Sequence, residues 1–164
     1  MAITLRCPTL EDVEQVRLWR NDIPETLRTP YPLTKEMQED FYRSVVCDRR
    51  ANSRWWSVYG PDGLTGFAGL ANIEWENGLA EVSLILSPDI CGKGYGGETF
   101  GLLLDEGFDN LGLSTIYGEC YECNPALGFW LKMVERHGGY QTKLPRRKRW
   151  RGQLYDSVYF AFWR

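Results

Sequence analysis

Apolar positions in the first third of the chain recur at helical spacing. Thr9 stands as an N-cap, with Asp12 three residues on, where a capping box wants an acid. Leu10, Val13, Val16 and Trp19 then share one face, and Pro24 stops the helix near Trp19-Arg20-Asn21-Asp22. Thr34 opens a second helix, whose Met37, Phe41 and Val45, four apart, predict a core stripe. The middle third changes period. Residues 55–59 and 64–75 read as strands about the turn Pro61-Asp62-Gly63. Glu76-Asn77-Gly78 then leads into Ala80, Val82, Leu84 and Leu86, which alternate with Glu81, Ser83 and Ile85. Asp-Gly and Asn-Gly between apolar runs are strong hairpin signals, so these three strands form an antiparallel meander. Beyond Pro88 a glycine-rich stretch opens a helix carrying Phe100, Leu103, Leu104, Phe108 and Leu111. A strand over 115–121, a helix over about 125–136 and two C-terminal strands follow. With a strand at the N-terminus the order is β-α-α-β-β-β-α-β-α-β-β, an α/β (α+β) chain with a mixed sheet and helices on its faces.

Composition narrows the class. The 164 residues suit one domain spanning 1–164, and 43% hydrophobic with 25% charged residues is ordinary for a globular protein. No stretch approaches the roughly 18 apolar residues that span a bilayer, which predicts no membrane partner. Residues 1–6 read as a strand rather than a signal peptide. Five scattered cysteines (Cys7, Cys47, Cys91, Cys120, Cys123) suit a reduced, cytoplasmic chain. The net charge of −3 hides an asymmetry: six cations and no acid lie within residues 143–151, leaving 13 basic against 22 acidic residues elsewhere. A mildly acidic body with one basic stretch is not a general nucleic-acid binder, although that stretch can hold one anionic partner.

The chemistry concentrates in Ser87-Pro88-Asp89-Ile90-Cys91-Gly92-Lys93-Gly94-Tyr95-Gly96-Gly97, where a strand runs into glycines that open a helix. Glycines let backbone amides crowd around an anion, and the helix start adds unpaired N–H donors and a positive dipole end. Gly92, Gly94 and Gly97 formally satisfy G-x-G-x-x-G, with Glu119 22 residues beyond Gly97. A dinucleotide fold, however, needs repeated parallel βαβ units, and hairpins precede this loop. No G-K-[ST] occurs, which excludes a P-loop. A glycine turn that only lets helix and strand pack closely is the remaining plain reading.

Gly92-Lys93-Gly94-Tyr95-Gly96 also resembles the [Q/R]-x-x-G-x-[G/A] signature of the GNAT superfamily of acyl-CoA N-acyltransferases, with Cys91 in place of the leading Arg or Gln. The resemblance covers nearly the whole chain. Trp19-Arg20-Asn21-Asp22 and Leu33-Thr34-Lys35-Glu36-Met37-Gln38 resemble the first two helices of the branch containing ribosomal-protein N-terminal alanine acetyltransferases and nucleotide-linked amino-sugar N-acetyltransferases. Ala80-Glu81-Val82, Asn124 and Asp156 fall where that family places such residues. It implies a mostly antiparallel sheet of about seven strands with four helices, the fourth and fifth strands splaying apart after the Pro88 region. Acetyl-CoA, the acyl donor, is then held by the backbones of Ile85 and Leu86, by residues Cys91, Gly92, Lys93, Gly94, Tyr95, Gly96 and Gly97, and by Asn124. No metal is implied.

Acyl transfer to an amine needs a neutral nucleophile, donors for the oxyanion and a route for a proton to the departing thiolate. Two carboxylates are placed to act as base: Glu81, ten residues before Cys91, and Glu119, five before Asn124. Each can equally be an ordinary strand glutamate facing solvent. The tyrosine many relatives carry seven residues after the asparagine is Leu131 here, and the serine of some relatives is Leu127. Tyr117, Tyr121 and Tyr155 are possible substitutes. Trp19, Arg20 and Asn21, with Arg147, Arg149 and Trp150 of the basic stretch, are the candidate acceptor contacts, since arginines pair with carboxylate or phosphate and Trp150 can stack on a base or sugar. The basic stretch is otherwise a solvated loop at the last hairpin. Cys120-x-x-Cys123 lacks a second pair, and His137 reads as a cation at a helix end. The reading is therefore an N-acetyltransferase, monomer or homodimer, acting on a protein N-terminus or an amino sugar. The alternatives are a nucleic-acid base as acceptor, bound through residues 143–151, or an acyl-CoA-binding module with reduced turnover.

Overall fold

The computed structural model describes residues 3–90 and 92–164, so Met1, Ala2 and Cys91, the expected head of the glycine motif, lie outside the described residues. Seven strands form one sheet: β1 (Thr4–Arg6), β2 (Arg54–Gly60), β3 (Gly63–Glu74), β4 (Leu79–Leu86), β5 (Thr115–Tyr121), β6 (Tyr140–Trp150) and β7 (Gln153–Trp163). Their spatial order is β1-β2-β3-β4-β5-β7-β6, and β4–β5 is the one parallel pair. Four helices, α1 (Leu10–Asn21), α2 (Lys35–Phe41), α3 (Tyr95–Asp105) and α4 (Leu127–His137), complete the order read from the sequence.

The capping box at the head of α1 is present, and its acid does more than cap. Asp12 accepts from the Thr9 backbone N–H (3.1 Å), from Ser57 Oγ (2.7 Å) and from the Tyr59 hydroxyl (2.8 Å), so one carboxylate both starts the helix and fastens it to β2. Burial pushes the Asp12 carboxyl up, but the bonds from Ser57, Thr9 and Tyr59 prevail and hold it below the ordinary carboxylate range.

The second helix departs from its predicted stripe. Met37 is 49% exposed, while Gln38 is buried and donates Nε2 to the Val13 carbonyl (3.1 Å). After Phe41 the chain makes a π turn over Tyr42–Val46. A π turn aligns residues five apart, so Val46, and not Val45, joins Phe41 against α1.

The sheet carries a core on each face. Phe100 and Leu103 of α3 and Trp130 of α4 pack on Ala68, Leu70, Val82, Ile116 and Phe160, with Trp130 stacked on Phe160 at 4.7 Å. On the other face Val13 and Val16 of α1 meet Phe67, and Trp55 lies stacked on Phe67 and edge-on to Phe41. Gly69 makes room for Trp55: a Cβ there would sit 2.3 Å from the indole.

The gap between β4 and β5 opens earlier than expected. Pairing consists of Leu79–Thr115, Ala80–Ile116 and Glu81–Tyr117, so the strands part after Glu81 and not after the Pro88 region. Beyond that point β4 stays paired with β3 to Leu86, and β5 with β7 to Tyr121, and strand twist carries the two half-sheets apart.

The basic stretch is also a correction, being part of β6 rather than a solvated loop. The β6–β7 ladder slips between Leu144 and Lys148, with Arg146 in a left-handed conformation (φ 55°). The Arg146 N–H donates to Asp156 Oδ1 at 2.9 Å, which gives Asp156 a structural role in fixing this bulge.

Candidate active site

Strand pairing decides which backbone groups face the gap. The Ser87 N–H donates to the Thr65 carbonyl (2.8 Å), which sets the phase of the β3–β4 ladder. By alternation Ile85 then exchanges its backbone bonds with Phe67, while Leu84 and Leu86 turn their N–H and C=O groups away from β3 into the gap. The expectation that Ile85 holds a ligand through its backbone is thereby corrected: Leu84, with Leu86, has the open groups. Ile85 contributes its side chain, packed with the α1 cluster.

A cavity of ≈ 380 Å³ lies over this gap on the α1–α2 side. Glu81, Ser83, Ile85, Glu119 and Asn124 line it with Arg20, Asn72 and residues 23 and 26–29 of the α1–α2 connection, and through the gap it reaches Cys120, Trp130 and Phe160. Side chains from several elements tie down that connection. Asn21 accepts from the Leu33 N–H (2.8 Å) and donates back to its carbonyl (3.0 Å). Cys123 Sγ lies 3.7 Å from the Glu25 carbonyl, Lys148 Nζ donates to the Leu27 carbonyl, and Arg28 bonds Glu81.

Both candidate carboxylates are therefore brought to one cavity. Glu81 sits on the last paired rung of β4–β5, its side chain 12% exposed. Besides Arg28 (Nη1 to Oε2, 3.3 Å) it accepts from Asn72 Nδ2 at 2.8 Å. Asn72 reaches it because β3 bulges between Ala71 and Glu74, with Asn72 left-handed at φ 49°, a conformation Asn tolerates better than most residues. Glu119 accepts from Arg147 Nε (2.8 Å) and Ser157 Oγ (2.6 Å). The Arg147 guanidinium, opposed by burial and aided by Ser157, holds the Glu119 carboxyl below its ordinary range.

The glycine loop has the form a phosphate group requires. Gly92 and Gly94 both take φ +82°, and a Cβ on either would meet nothing within 4 Å. Gly94 is the N-cap of α3 and no side chain caps it, so the first-turn N–H groups stand open. At Gly96 a Cβ would press on Phe129 (3.0 Å) and Leu86 (3.2 Å), so glycine is needed there for close packing. Residues 2–138 match the family model of the acetyltransferase (GNAT) domain.

The chain belongs to the GNAT acetyltransferase family.

No curated protein matches the sequence. Among solved structures, the fold is similar to spermidine N-acetyltransferase from Vibrio cholerae in complex with CoA and spermine. That structure is 22% identical with a TM-score of 0.85, and the match covers 98% of this chain and 95% of that one. A dodecameric structure of the Vibrio cholerae enzyme in an intermediate state gives 22% identity and a TM-score of 0.80, over 98% and 93% of the two chains. As a GNAT acetyltransferase the protein takes its acetyl group from acetyl-CoA. The open glycine cradle and the unpaired Leu84 and Leu86 edge fit that donor.

Within this GNAT frame the other expected residues fall into two groups. Of the first-helix motif, Trp19 packs in the α1 cluster and Asn21 pins the connection, so Arg20 alone lines the cavity. Arg147 reaches the site through Glu119, whereas Arg149 and Trp150 do not line it. The basic stretch is partly consumed internally, with Lys143 bonded to Glu122 (2.7 Å) and Asp156 (3.1 Å) and Lys148 buried. It does not present six free cations to a phosphate backbone. Asn124 Oδ1 accepts from the Ala126 N–H (2.9 Å) at the start of α4. Tyr155 bonds Gln153 (2.7 Å), while Tyr117 and Tyr121 flank Glu119 on β5. Burial pushes both of these phenols up, so they keep their protons.

Burial pushes the Cys120 thiol up to about 12, which leaves it protonated and inert. Burial, helped by Arg136 and Arg164, pushes His137 down, so the expected helix-end cation is mainly a neutral imidazole at pH 7. Sequence reasoning missed Arg28, Asn72, Ser157 and Arg136. Arg136 comes from α4, and its Nη1 lies 3.4 Å from the position a Gly97 Cβ would take, beside the cradle.

Proposed function

We propose that the protein transfers the acetyl group of acetyl-CoA to the primary amine of a small molecule, and that Glu81 takes up the amine proton. The observation carrying this reading is the position of Glu81 on the last β4–β5 rung, inside the cavity and next to the backbone edge that Leu84 and Leu86 leave open. A cavity of ≈ 380 Å³ is within the range of small-molecule sites. The similar solved structures are named as enzymes that acetylate spermidine, a small amine, which supports the same acceptor scale.

In this mechanism the N–H groups of Leu84 and Leu86 are the donors toward the donor's pantetheine arm and carbonyl oxygen. The first-turn amides of α3 hold the pyrophosphate, with Lys93 and Arg136 adding positive charge where the family's leading Arg or Gln is replaced by Cys91. Glu81 removes the proton directly or through one water, and the bonds from Arg28 and Asn72 hold its carboxyl group in place. Glu119, held below its ordinary range by Arg147 and Ser157, is engaged by those two partners and serves to order Arg147 beside the site. A CoA thiolate is a good leaving group, and Tyr117 or Tyr121 can supply its proton.

The test is calorimetric titration with acetyl-CoA, followed by acceptor-dependent release of free thiol over a panel of small primary amines and short peptides. Micromolar binding and turnover with a small amine is the expected result. Turnover with peptide N-termini alone, or tight binding with no turnover on any amine, overturns the reading.

A further inference from the structure

Four charged side chains line the cavity: Arg20, Arg28, Glu81 and Glu119. Three of them are already matched, Arg28 with Glu81, and Glu119 with Arg147 and Ser157. Arg20 is the exception. Among the described residues its side chain makes no hydrogen bond and no ion pair, and no polar side-chain atom there is both sealed from solvent and unpartnered, so its nitrogens are open to solvent on a residue that lines the cavity. It stands four residues after Val16 and seven after Val13, on the face of α1 that packs toward the sheet. A half-buried guanidinium kept without a counterion is costly, and the helix C-terminus and Tyr31 offset it only in part. Burial pushes its pKa down, the sign of a cation taken from water without full compensation.

Resting on the proposed acetylation of a small amine, we propose that Arg20 binds an oxyanion carried by the acceptor, so that the substrate class is a primary amine bearing a carboxylate or phosphate. The charge balance of the site requires the same class. With Glu81 and Glu119 both engaged, a polyamine finds no free carboxylate for its second ammonium and meets Arg20 instead. An anionic group at the far end of the acceptor pairs with the guanidinium through two parallel N–H···O bonds and leaves the amine directed at Glu81.

The test compares matched acceptors: 6-aminohexanoate against hexylamine, glucosamine 6-phosphate against glucosamine, and spermidine. Each is assayed for kcat/KM with wild type, Arg20→Gln and Arg20→Lys. Each acceptor is also titrated calorimetrically into the protein–CoA complex, a readout that needs no turnover. Wild type should prefer the anionic member of at least one pair by about 10- to 100-fold, the effect of one charge-assisted pair. R20Q should abolish that preference, R20K should restore part of it, and the acetyl-CoA Kd should stay unchanged. The carboxylate and phosphate pairs separate the two sources of the oxyanion. If spermidine or the neutral amines are preferred, or if R20Q keeps the wild-type ratio, the inference is overturned while acetyl transfer stands. If nothing is acetylated but the anionic amine binds wild type and not R20Q, the enzymatic reading fails and Arg20 keeps its role.

Discussion

Replacing Glu81 by Gln separates chemistry from architecture at this site. The substitution removes one charge and keeps size and shape, and the amide oxygen can still accept from Asn72. What it loses is the ion pair with Arg28, whose side chain is 54% exposed. Pairs of that kind contribute about 0.2–1 kcal/mol, so E81Q should unfold within about 1 kcal/mol of wild type. Removing a general base, by contrast, lowers turnover about 10²- to 10⁴-fold, equivalent to about 3–5 kcal/mol of transition-state stabilisation. The assay is thiol release at saturating acetyl-CoA, with a urea melt of the same preparation. Arg28→Gln is the companion variant: it frees the α1–α2 connection and should raise the acceptor KM with less effect on kcat. Because Glu119 is held below the ordinary carboxylate range, E119Q should cost less than E81Q, about tenfold or under, chiefly through Arg147. An E81Q enzyme within threefold of wild type, with E119Q down a hundredfold, would refute the assignment.

Further outcomes follow from the same contacts. Gly94→Glu puts a side chain on a φ of +82° and a negative charge at the cradle, so acetyl-CoA binding by calorimetry should weaken more than about 100-fold; Gly101→Ala, at an open position of α3, should instead stabilise by about 0.5–1 kcal/mol in a thermal melt. Arg136→Ala should raise the CoA Kd about tenfold and flatten its salt dependence, and an unchanged Kd would place this side chain outside the phosphate site. Asp12→Ala removes the return bond of the capping box and both bonds to β2 and should cost about 3 kcal/mol in urea. The Asp12 carboxyl is depressed in the fold, so its contribution is fully present above the unfolded value near 3.8 and is lost as pH falls through the lower folded value. The stability gap between D12A and wild type should therefore shrink in acid, and a gap that widens there refutes the anchor.

What could be read in the sequence is what neighbouring residues decide among themselves. Thr9 and Asp12 announce the start of α1, the Asp-Gly and Asn-Gly turns announce the meander, and glycines with unavoidable positive φ announce the cradle. The Val45 end of the α2 stripe failed because a π turn moves the register by one residue, a choice made by the surface it packs on and not by its own spacing. The site's electrostatics were invisible for a related reason. Arg28 and Glu81 are 53 residues apart, Arg147 and Glu119 28, Lys148 and Leu27 121, and no local pattern records such pairs. A run of cations in β6 looks like one feature on paper, yet strand alternation and a bulge send its members to different partners. Lys148 goes inward to the α1–α2 connection and Arg147 to Glu119, while Arg151 lies over Trp150. Among the described residues, the cation left unpaired at the cavity comes instead from α1, where Arg20 follows Val13 and Val16 on the side that packs toward the sheet. On the proposed role of Arg20, specificity depends on which charges the fold leaves unmatched, and counting charges along the chain does not locate them.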